Sequence, residues 1–336
     1  MATTNFDRYD LGDNVREDLR DAIYNIAPTQ TPFMTMAKRG KASNTYTEYQ
    51  TDDLQTVDPT NAKVDGADAG ADTSTASVRI GNTCQISDKV TRISGRSETV
   101  DKAGRRSEMA YQLSKAGRSI KRDMEAILTS NQAAAAGDSS TASTTAGLRT
   151  WFTTNNDDAS DAVTPGWAAP PGPDATTPGT PRGMAWSMVD GVVRSCYDAG
   201  GEPDCIMCSP TKKQAISSYL FTSSARVAAL YSDQAGKSAG LTAQGAVDVY
   251  ISDFGVLDIV PNRFLGHDGS IADDTNVYIL EKDMWEVSFL RSFRTKKLAV
   301  TGDAENRQLL VDYALISRNE AASGVIGDLT NDPIIP

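Results

Sequence analysis

The sequence is poor in histidine, in net basic charge and in long apolar runs. One histidine, His267, stands among 336 residues, which excludes a mechanism that needs two imidazoles, such as a two-histidine zinc site. Acidic residues outnumber basic ones by 44 to 33, and the net charge of −11 argues against a chain that grips DNA phosphates over its whole surface. No apolar run approaches the roughly 18 residues of a transmembrane helix, and the first residues lack the pattern of a signal peptide. We therefore expect a chain that is made and kept in a cytoplasm.

Cysteine is also scarce, and its placement predicts structural thiols. Only Cys205 and Cys208 of the four cysteines lie close together, in a short apolar run bounded by Pro203 and Pro210. Such a run predicts a buried strand, and side chains three positions apart on a strand point to opposite faces. A second CxxC, which a four-cysteine zinc ribbon needs, is missing.

Three motifs resemble functional sites without completing them. Ala235-Gly236-Lys237-Ser238 resembles the end of a P-loop, but Tyr231 stands where the first glycine belongs. His267 lies in a Gly/Asp turn, and no nucleophile-elbow motif accompanies it, so a soluble hydrolase that uses His267 is the weaker alternative. Asp65-Gly66-Ala67-Asp68 lacks the spacing of a calcium loop. We predict no catalytic residue, no cofactor and no metal, and hence no enzyme.

The first 40 residues predict an arm. Asn14 and Glu17 resemble a capping box, and helical spacing of apolar residues follows until the prolines at positions 28 and 32. The apolar residues are Val15, Leu19, Ile23 and Ile26. A helix this short is marginal alone, so it packs either on its own domain or on a neighbouring subunit.

Residues 41–93 predict a long β-hairpin with arms over 43–54 and 77–93. On the second arm an apolar face recurs at period two, formed by Val78, Ile80, Cys84 and Ile86. Between the arms, residues 51–75 hold six Asp and one Lys, too little apolar surface to fold onto a core. The hairpin therefore folds back over its own sheet or projects.

Residues 95–132 predict one helix of about 45 Å, because apolar residues follow helical spacing from Met109 to Ile127. Glu98 with Lys102, and Asp101 with Arg105, have the spacing of stabilising i, i+4 pairs. The polar face of this helix is basic and is either solvated or turned toward acidic neighbours or nucleic acid. Its cations are Arg96, Lys102, Arg105, Arg106, Lys115, Arg118, Lys121 and Arg122.

The remainder alternates between irregular and regular segments. Residues 133–182 are low in complexity, hold six of the fourteen prolines, and predict a surface insertion anchored by Leu148, Trp151 and Phe152. After them, helices are predicted over 188–196 and 210–221, and strands over 205–208, 247–251, 256–260, 277–280, 285–290 and 308–317. The fold class is α+β.

This order of parts resembles the major capsid proteins of tailed bacteriophages, which share the Hong Kong 97 fold. Several stretches are similar to one subgroup from short-tailed and related phages, over residues 16–33, 100–125, 201–204, 253–255, 260–263 and 301–322. They include Gly201-Glu202-Pro203-Asp204 and Val260-Pro261-Asn262-Arg263. The resemblance covers most of the chain except residues 133–182.

The resemblance implies an architecture and a set of segments. These are an N-terminal arm (1–40), an extended β-hairpin loop (41–93), a peripheral domain with a spine helix (94–135), a low-complexity surface insertion (136–182), an axial domain (183–282) and closing strands of the peripheral domain (283–336). It implies a structural protein that self-assembles as hexamers and pentamers into an icosahedral virion shell around double-stranded DNA. A bacterial compartment shell of the same fold, enclosing a cargo enzyme, is the main alternative.

The resemblance also implies partners and contacts. Copies of the chain associate with one another and with portal, scaffolding and decoration proteins, without sequence-specific DNA binding and without a membrane, and assemble in the cytoplasm of a bacterial host. The predicted inter-subunit contacts are Leu19, Ile23, Tyr46, Tyr49, Asp58, Asp65, Arg105, Arg106, Arg118 and Arg122.

Overall fold

The computed structural model describes residues 29–334, except 53, 67, 69, 71–73, 103, 165, 169, 223–246, 266–274 and 301. Several predicted features lie outside the described residues: the arm helix with Leu19 and Ile23, the Gly-Lys-Ser motif at 236–238, and His267.

The helices are α1 (Pro32–Met36), α2 (Gly95–Thr99), α3 (Glu108–Leu128), α4 (Trp186–Asp198) and α5 (Pro210–Thr222), with short 3-10 helices at Leu148–Trp151 and Lys282–Met284. The strands are β1 (Lys38–Lys41), β2 (Tyr46–Thr51), β3 (Val78–Thr83), β4 (Gln85–Ser94), β5 (Asn156–Asp157), β6 (Trp167–Ala168), β7 (Gly172–Pro173), β8 (Cys205–Cys208), β9 (Val249–Ser252), β10 (Gly255–Pro261), β11 (Val277–Leu280), β12 (Trp285–Lys297), β13 (Ala304–Ser317) and β14 (Gly324–Ile326).

A four-stranded sheet in the order β1-β12-β13-β4 carries the spine helix α3 on one face. Its central pair is long and antiparallel, with Trp285 opposite Ser317 at one end and Lys297 opposite Arg307 at the other. Strand β1 adds in parallel to β12, which ties the root of the arm to the body.

A six-stranded sheet in the order β5-β14-β11-β8-β10-β9 forms the second body and is buried on both faces at its centre. The four-residue strands β8 and β11 confirm two predicted strands, because each is a continuous apolar run that needs cover on both sides. On β8, Cys205 packs in one apolar cluster and Cys208 in another. The predicted divergence of the two sulfurs is therefore confirmed.

The two bodies share a core. Met207 and Tyr278, from one face of the six-stranded sheet, lie in the same apolar cluster as Ile120 and Met124 of α3 and Val311 of β13. The opposite face of the six-stranded sheet packs on α4 and α5 in a separate cluster. A rigid joint between sheet and spine follows from this continuity.

The spine helix is shorter than predicted. The expected helix over 95–132 is broken between Thr99 and Glu108, so α3 has 21 residues and a length of about 32 Å. Two separate N-caps cause the break: Ser94 accepts a hydrogen bond from the Ser97 N–H, and Ser107 accepts one from Ala110. Gly104, with φ of 73°, lies between them.

The hairpin forms, but its second arm is divided. Strand β3 pairs with β2, whereas β4 leaves the hairpin after Cys84 and joins the four-stranded sheet beside β13. The predicted apolar face does not stay buried along this arm, since Cys84 is covered while Val78 and Ile86 are exposed.

The predicted anchors of residues 133–182 are confirmed. Leu148, Trp151 and Phe152 are the predicted anchors, and all three are fully buried in the main apolar cluster. Surface exposure is found farther along, where Val163 is 59% and Trp167 37% exposed. Strand β5 of this segment and β14 of the tail both join the six-stranded sheet, which the sequence did not indicate.

Candidate interaction surfaces

The tip of the β2–β3 hairpin is an exposed acidic loop that carries apolar side chains. Leu54, Val57 and Val64 are 98%, 87% and 81% exposed. Asp58 is held locally: its carboxylate accepts from the Thr60 hydroxyl at 2.6 Å and from the Thr60 N–H at 2.9 Å, and these bonds lower the pKa of Asp58. Asp65 lies in an exposed turn of the same loop. Three aliphatic side chains in water form a surface suited to a partner.

The tyrosines of β2 are half-buried rather than projecting. Tyr49 pairs across the hairpin with Ile80, and Tyr46 pairs with Thr83. Burial raises the pKa of Tyr49, and the nearby Glu320 carboxylate raises it further. Part of each ring therefore already contacts its own chain.

Some cations on the basic face of the spine contact partners within the chain, and others are exposed. Arg105 makes an ion pair with Glu108 at 2.5 Å and lies 5.0 Å from the Tyr111 ring centre, and Arg122 lies 5.5 Å from that of Phe264. Arg106 and Arg118 are exposed. Of the two pairs predicted by spacing, Glu98 with Lys102 forms at 3.4 Å, whereas Arg105 pairs with Glu108 instead of Asp101. Only part of the predicted face is available to a partner.

A buried carboxylate joins three segments at the root of the arm. Glu125 of α3 is fully buried and accepts hydrogen bonds from the backbone N–H groups of Phe33 and Met34 at 2.7 and 2.9 Å. The side-chain amide of Asn262, after β10, donates to the same carboxylate at 2.8 Å. Burial raises the pKa of Glu125, and the three donors oppose that shift. Sequence reasoning missed this joint because its partners are separated by 91 and 137 residues.

Two apolar surfaces were also missed. Ile86 and Val90 of β4 are 56% and 57% exposed. At the β9–β10 hairpin, Ile251 is 75% and Val256 56% exposed, and the ring of Phe254 at its turn packs at a tilt against Tyr197, with ring centres 4.9 Å apart. The only signal in the sequence was alternation, which does not say which face is covered.

The cysteines are buried free thiols, as predicted. Burial raises the pKa of Cys196 and of Cys205 to about 12, so neither is a thiolate near neutral pH. Within the described ranges, no group of three or more His, Cys, Asp or Glu side chains is placed to hold a metal ion. No helix of the described part is long and apolar enough to cross a membrane.

Comparisons with known proteins agree with this architecture. The family model described as "SU10 major capsid protein" matches residues 1–330. The chain is 27% identical over 330 residues to the major capsid protein of Escherichia phage Phieco32, covering 90% of each chain.

Solved structures resemble the fold along nearly the whole chain. One from Mycobacterium phage Bobi has a TM-score of 0.60 at 10% identity, covering 96% of this chain and 99% of the other. The holo-SrpI encapsulin complex from Synechococcus elongatus PCC 7942 has a TM-score of 0.56 at 8% identity, covering 99% of both chains. The predicted α+β Hong Kong 97-type fold is confirmed by these likenesses.

Proposed function

Because the chain belongs to the SU10 major capsid protein family, we propose that its copies join as hexamers and pentamers into an icosahedral shell around the double-stranded DNA of a tailed phage. The chain is a major capsid protein of a tailed phage, a structural component of the virion that assembles with copies of itself. Its family consists of structural proteins rather than enzymes.

The observation that carries the detailed proposal is the exposed hairpin tip. A loop with aliphatic side chains more than 80% exposed gains little from its own chain and much from a neighbour that covers it. We assign the inter-subunit contacts to three segments: the arm through Leu19 and Ile23, the hairpin, and the spine. The hairpin contacts are Tyr46, Tyr49, Asp58 and Asp65, and the spine contacts are Arg105, Arg106, Arg118 and Arg122. Arg106 and Arg118 are the strongest spine candidates because both are exposed.

The charge of the chain supports a container rather than a DNA-binding protein. A net charge of −11 gives a shell that repels phosphate, so a genome can be packed and released without sequence-specific binding. Portal, scaffolding and decoration proteins complete the assembly, which takes place in the cytoplasm of the bacterial host.

The compartment shell of the same fold is the second reading. The encapsulin likeness supports the fold alone, whereas the family match over residues 1–330 favours the phage capsid. The packaged content distinguishes the two, since one shell holds double-stranded DNA and the other holds a protein cargo.

Expression of the chain, followed by negative-stain microscopy and light scattering, tests the proposal. We expect shells or capsomers, and we expect His267→Ala to assemble like the wild type because no chemistry is assigned to that residue. A chain that stays monomeric at high concentration, even with its scaffolding partner, would contradict the proposal.

Ionic strength provides a second test. If exposed spine cations attract acidic segments of neighbours, added salt should reduce the assembly yield, because exposed charges more than about 10 Å apart are screened at 0.1 M. An equal yield from low to high salt would remove the electrostatic part of the proposal.

A further inference from the structure

Positive charge is concentrated on the body that carries the spine, although the chain as a whole is acidic. The strands β1, β4, β12 and β13 together with α3 contain 14 basic and 7 acidic residues. The strands of the six-stranded sheet together with α4 and α5 contain 3 basic and 4 acidic residues. The net charge of −11 therefore conceals a basic body, which can attract a polyanion that the rest of the chain repels.

A basic groove of about 540 Å³ opens in this body between α1, β1 and β12. Arg39 and Lys41 of β1 and Lys121 of α3 line it, and the described part of its lining contains no Asp or Glu. All three cations are exposed, and none of them makes an ion pair with another described residue. Lys121 holds its Nζ 5.9 Å from the ring centre of Phe293, a contact that leaves its charge in place. The groove therefore offers three positive charges that no carboxylate of the described chain neutralises.

The three cations lie on the spine side of the four-stranded sheet. Arg39 and Lys41 are two positions apart on β1, so their side chains project from the same face. Lys41 pairs with Phe289 of β12, and Phe289 packs against the apolar cluster that includes Ile120 of α3. Two residues of a strand span about 6.6 Å, close to the roughly 6.8 Å that two phosphates of one DNA strand advance along the duplex axis. The cations are therefore spaced to contact a line of phosphates.

We propose that the basic groove contacts the phosphate backbone of double-stranded DNA, so that the spine side of the sheet faces the packaged genome. Among the described residues, the lining includes neither Asn nor Gln, the amide side chains that read adenine, so the contact is with phosphate rather than with base edges. An acidic protein segment is the alternative occupant, and DNA is favoured because the shell function places a dense array of phosphates against one face of the sheet. The proposal rests on the proposed shell function and deepens it by naming where the wall contacts the genome.

Such a contact agrees with a genome that enters and leaves the shell. Binding through phosphates alone is independent of sequence and typically has a Kd of about 10⁻⁴–10⁻⁶ M at physiological salt, so single contacts form and break readily. The acidic remainder of the chain repels phosphate, which confines the contact to the basic body.

The salt dependence of DNA binding tests the site. Fluorescence anisotropy of a labelled duplex of about 20 base pairs, mixed with the full-length unassembled subunit, gives the affinity between about 50 and 200 mM NaCl. Each phosphate that a cation neutralises contributes about −0.9 to the slope of log K against log salt. The triple variant Arg39→Gln, Lys41→Gln, Lys121→Gln should therefore have a slope shallower by about 2.7, and the wild type should lose about 40-fold more affinity than this variant over the same range.

The matched control removes three exposed cations from the opposite face of the same sheet. Arg92, Arg294 and Lys296 are exposed and pair with positions of β13 that alternate with Leu309, which packs on the spine side. The triple variant Arg92→Gln, Arg294→Gln, Lys296→Gln changes the net charge by the same amount and should leave the slope unchanged. An equal loss of slope in the two variants would show an effect of net charge only and would overturn the proposal.

Crosslinking in filled particles tests which face meets the genome. In shells that hold DNA, formaldehyde should couple Lys41 and Lys121 to DNA, whereas Lys296 should remain uncoupled, as read from the peptides recovered with the DNA. Coupling through Lys296 but through neither groove lysine would overturn the assignment of the spine side to the genome.

Polyglutamate tests an acidic protein segment as the occupant. Unlabelled duplex should displace the labelled duplex from the wild-type subunit at a lower concentration of charge than polyglutamate does. The reverse order would assign the groove to carboxylates, and the DNA proposal would be wrong. Shell formation is scored separately by negative-stain microscopy, so failure of the proposed function is recognised independently of the salt slopes of the subunit.

Discussion

Substitution of Glu125 should loosen the root of the arm. In Glu125→Gln one carboxylate oxygen becomes an NH2 group, yet the site offers three donors and no acceptor among the contacts of this side chain. At least one buried donor then loses its partner.

The expected cost follows from the burial of the site. A buried donor left without a partner costs about 1–3 kcal/mol, so Glu125→Gln should lower the free energy of unfolding by that amount. Glu125→Ala leaves three donors unpaired beside a cavity and should cost about 4–5 kcal/mol. Asp123→Asn is the matched control: its ion pair with Lys89, at 2.5 Å, joins half-exposed side chains and should be worth less than about 1 kcal/mol.

Thermal and denaturant unfolding of the unassembled subunit measure these differences. Equal stability of Glu125→Gln and Asp123→Asn would refute the view that this carboxylate holds α1 in place.

The pH dependence of Glu125 has a defined sign. Burial raises its pKa above the ordinary 4.5. Between pH 4.5 and the raised pKa of the folded state, the folded chain therefore binds more protons than the unfolded chain. The stabilising contribution is complete below about pH 4.5 and is lost as the pH rises through the folded pKa. The stability advantage of the wild type over Glu125→Gln should therefore shrink from pH 4.5 toward neutrality.

Three further predictions concern other parts of the chain. Arg149→Ala should lower the free energy of unfolding by about 3–5 kcal/mol, measured by denaturant unfolding, because it leaves Asp158 charged and buried where an ion pair of 2.6 Å stood; a loss below 1 kcal/mol would contradict this. The native subunit should react slowly with a thiol reagent below pH 9, because Cys196 and Cys205 are buried and their pKa is raised to about 12. The denatured chain should expose all four thiols, and a rapid reaction of the native subunit would contradict their burial. Deletion of residues 58–72 should leave a soluble subunit that forms fewer shells by negative-stain microscopy, and normal shells would show that the tip is dispensable.

The sequence predicts best where a segment is covered by its own neighbours along the chain. Strands Cys205–Cys208 and Val277–Leu280 match their predicted limits because both faces demand apolar residues. Helix Trp186–Asp198 is also recovered within a few residues, since its apolar stripe is continuous.

The sequence predicts poorly where residues that are distant along the chain override the local hydrophobic pattern. The spine breaks near Gly104 because Ser107 caps a new helix start, and Glu98 adds to this cap by accepting a hydrogen bond from the Glu108 N–H at 2.9 Å, which periodicity does not reveal. Strand Gly324–Ile326 is too short to show alternation and exists through pairing with Val277–Leu280 on one side and Asn156–Asp157 on the other. Of the candidate contacts, exposure could not be predicted for Arg105, whose charge is taken by Glu108.

The contrast between hydrogen-bonded groups inside the body and uncovered side chains at its extremities explains why such a chain assembles. Inside the body, two buried carboxylates are well supplied with donors: Glu125 accepts three hydrogen bonds, and Glu320 accepts from the backbone and hydroxyl groups of Thr153 and Thr154. At the extremities the opposite holds, since Leu54 is almost fully exposed, and Arg39 and Lys41 of β1 make no ion pair among the described residues. Covering one such side chain gains only about 1.5–3 kcal/mol, too little to hold two isolated subunits together. In a closed shell each subunit makes several of these contacts at once, so the later ones form at high effective concentration and the weak contacts add up to a stable particle.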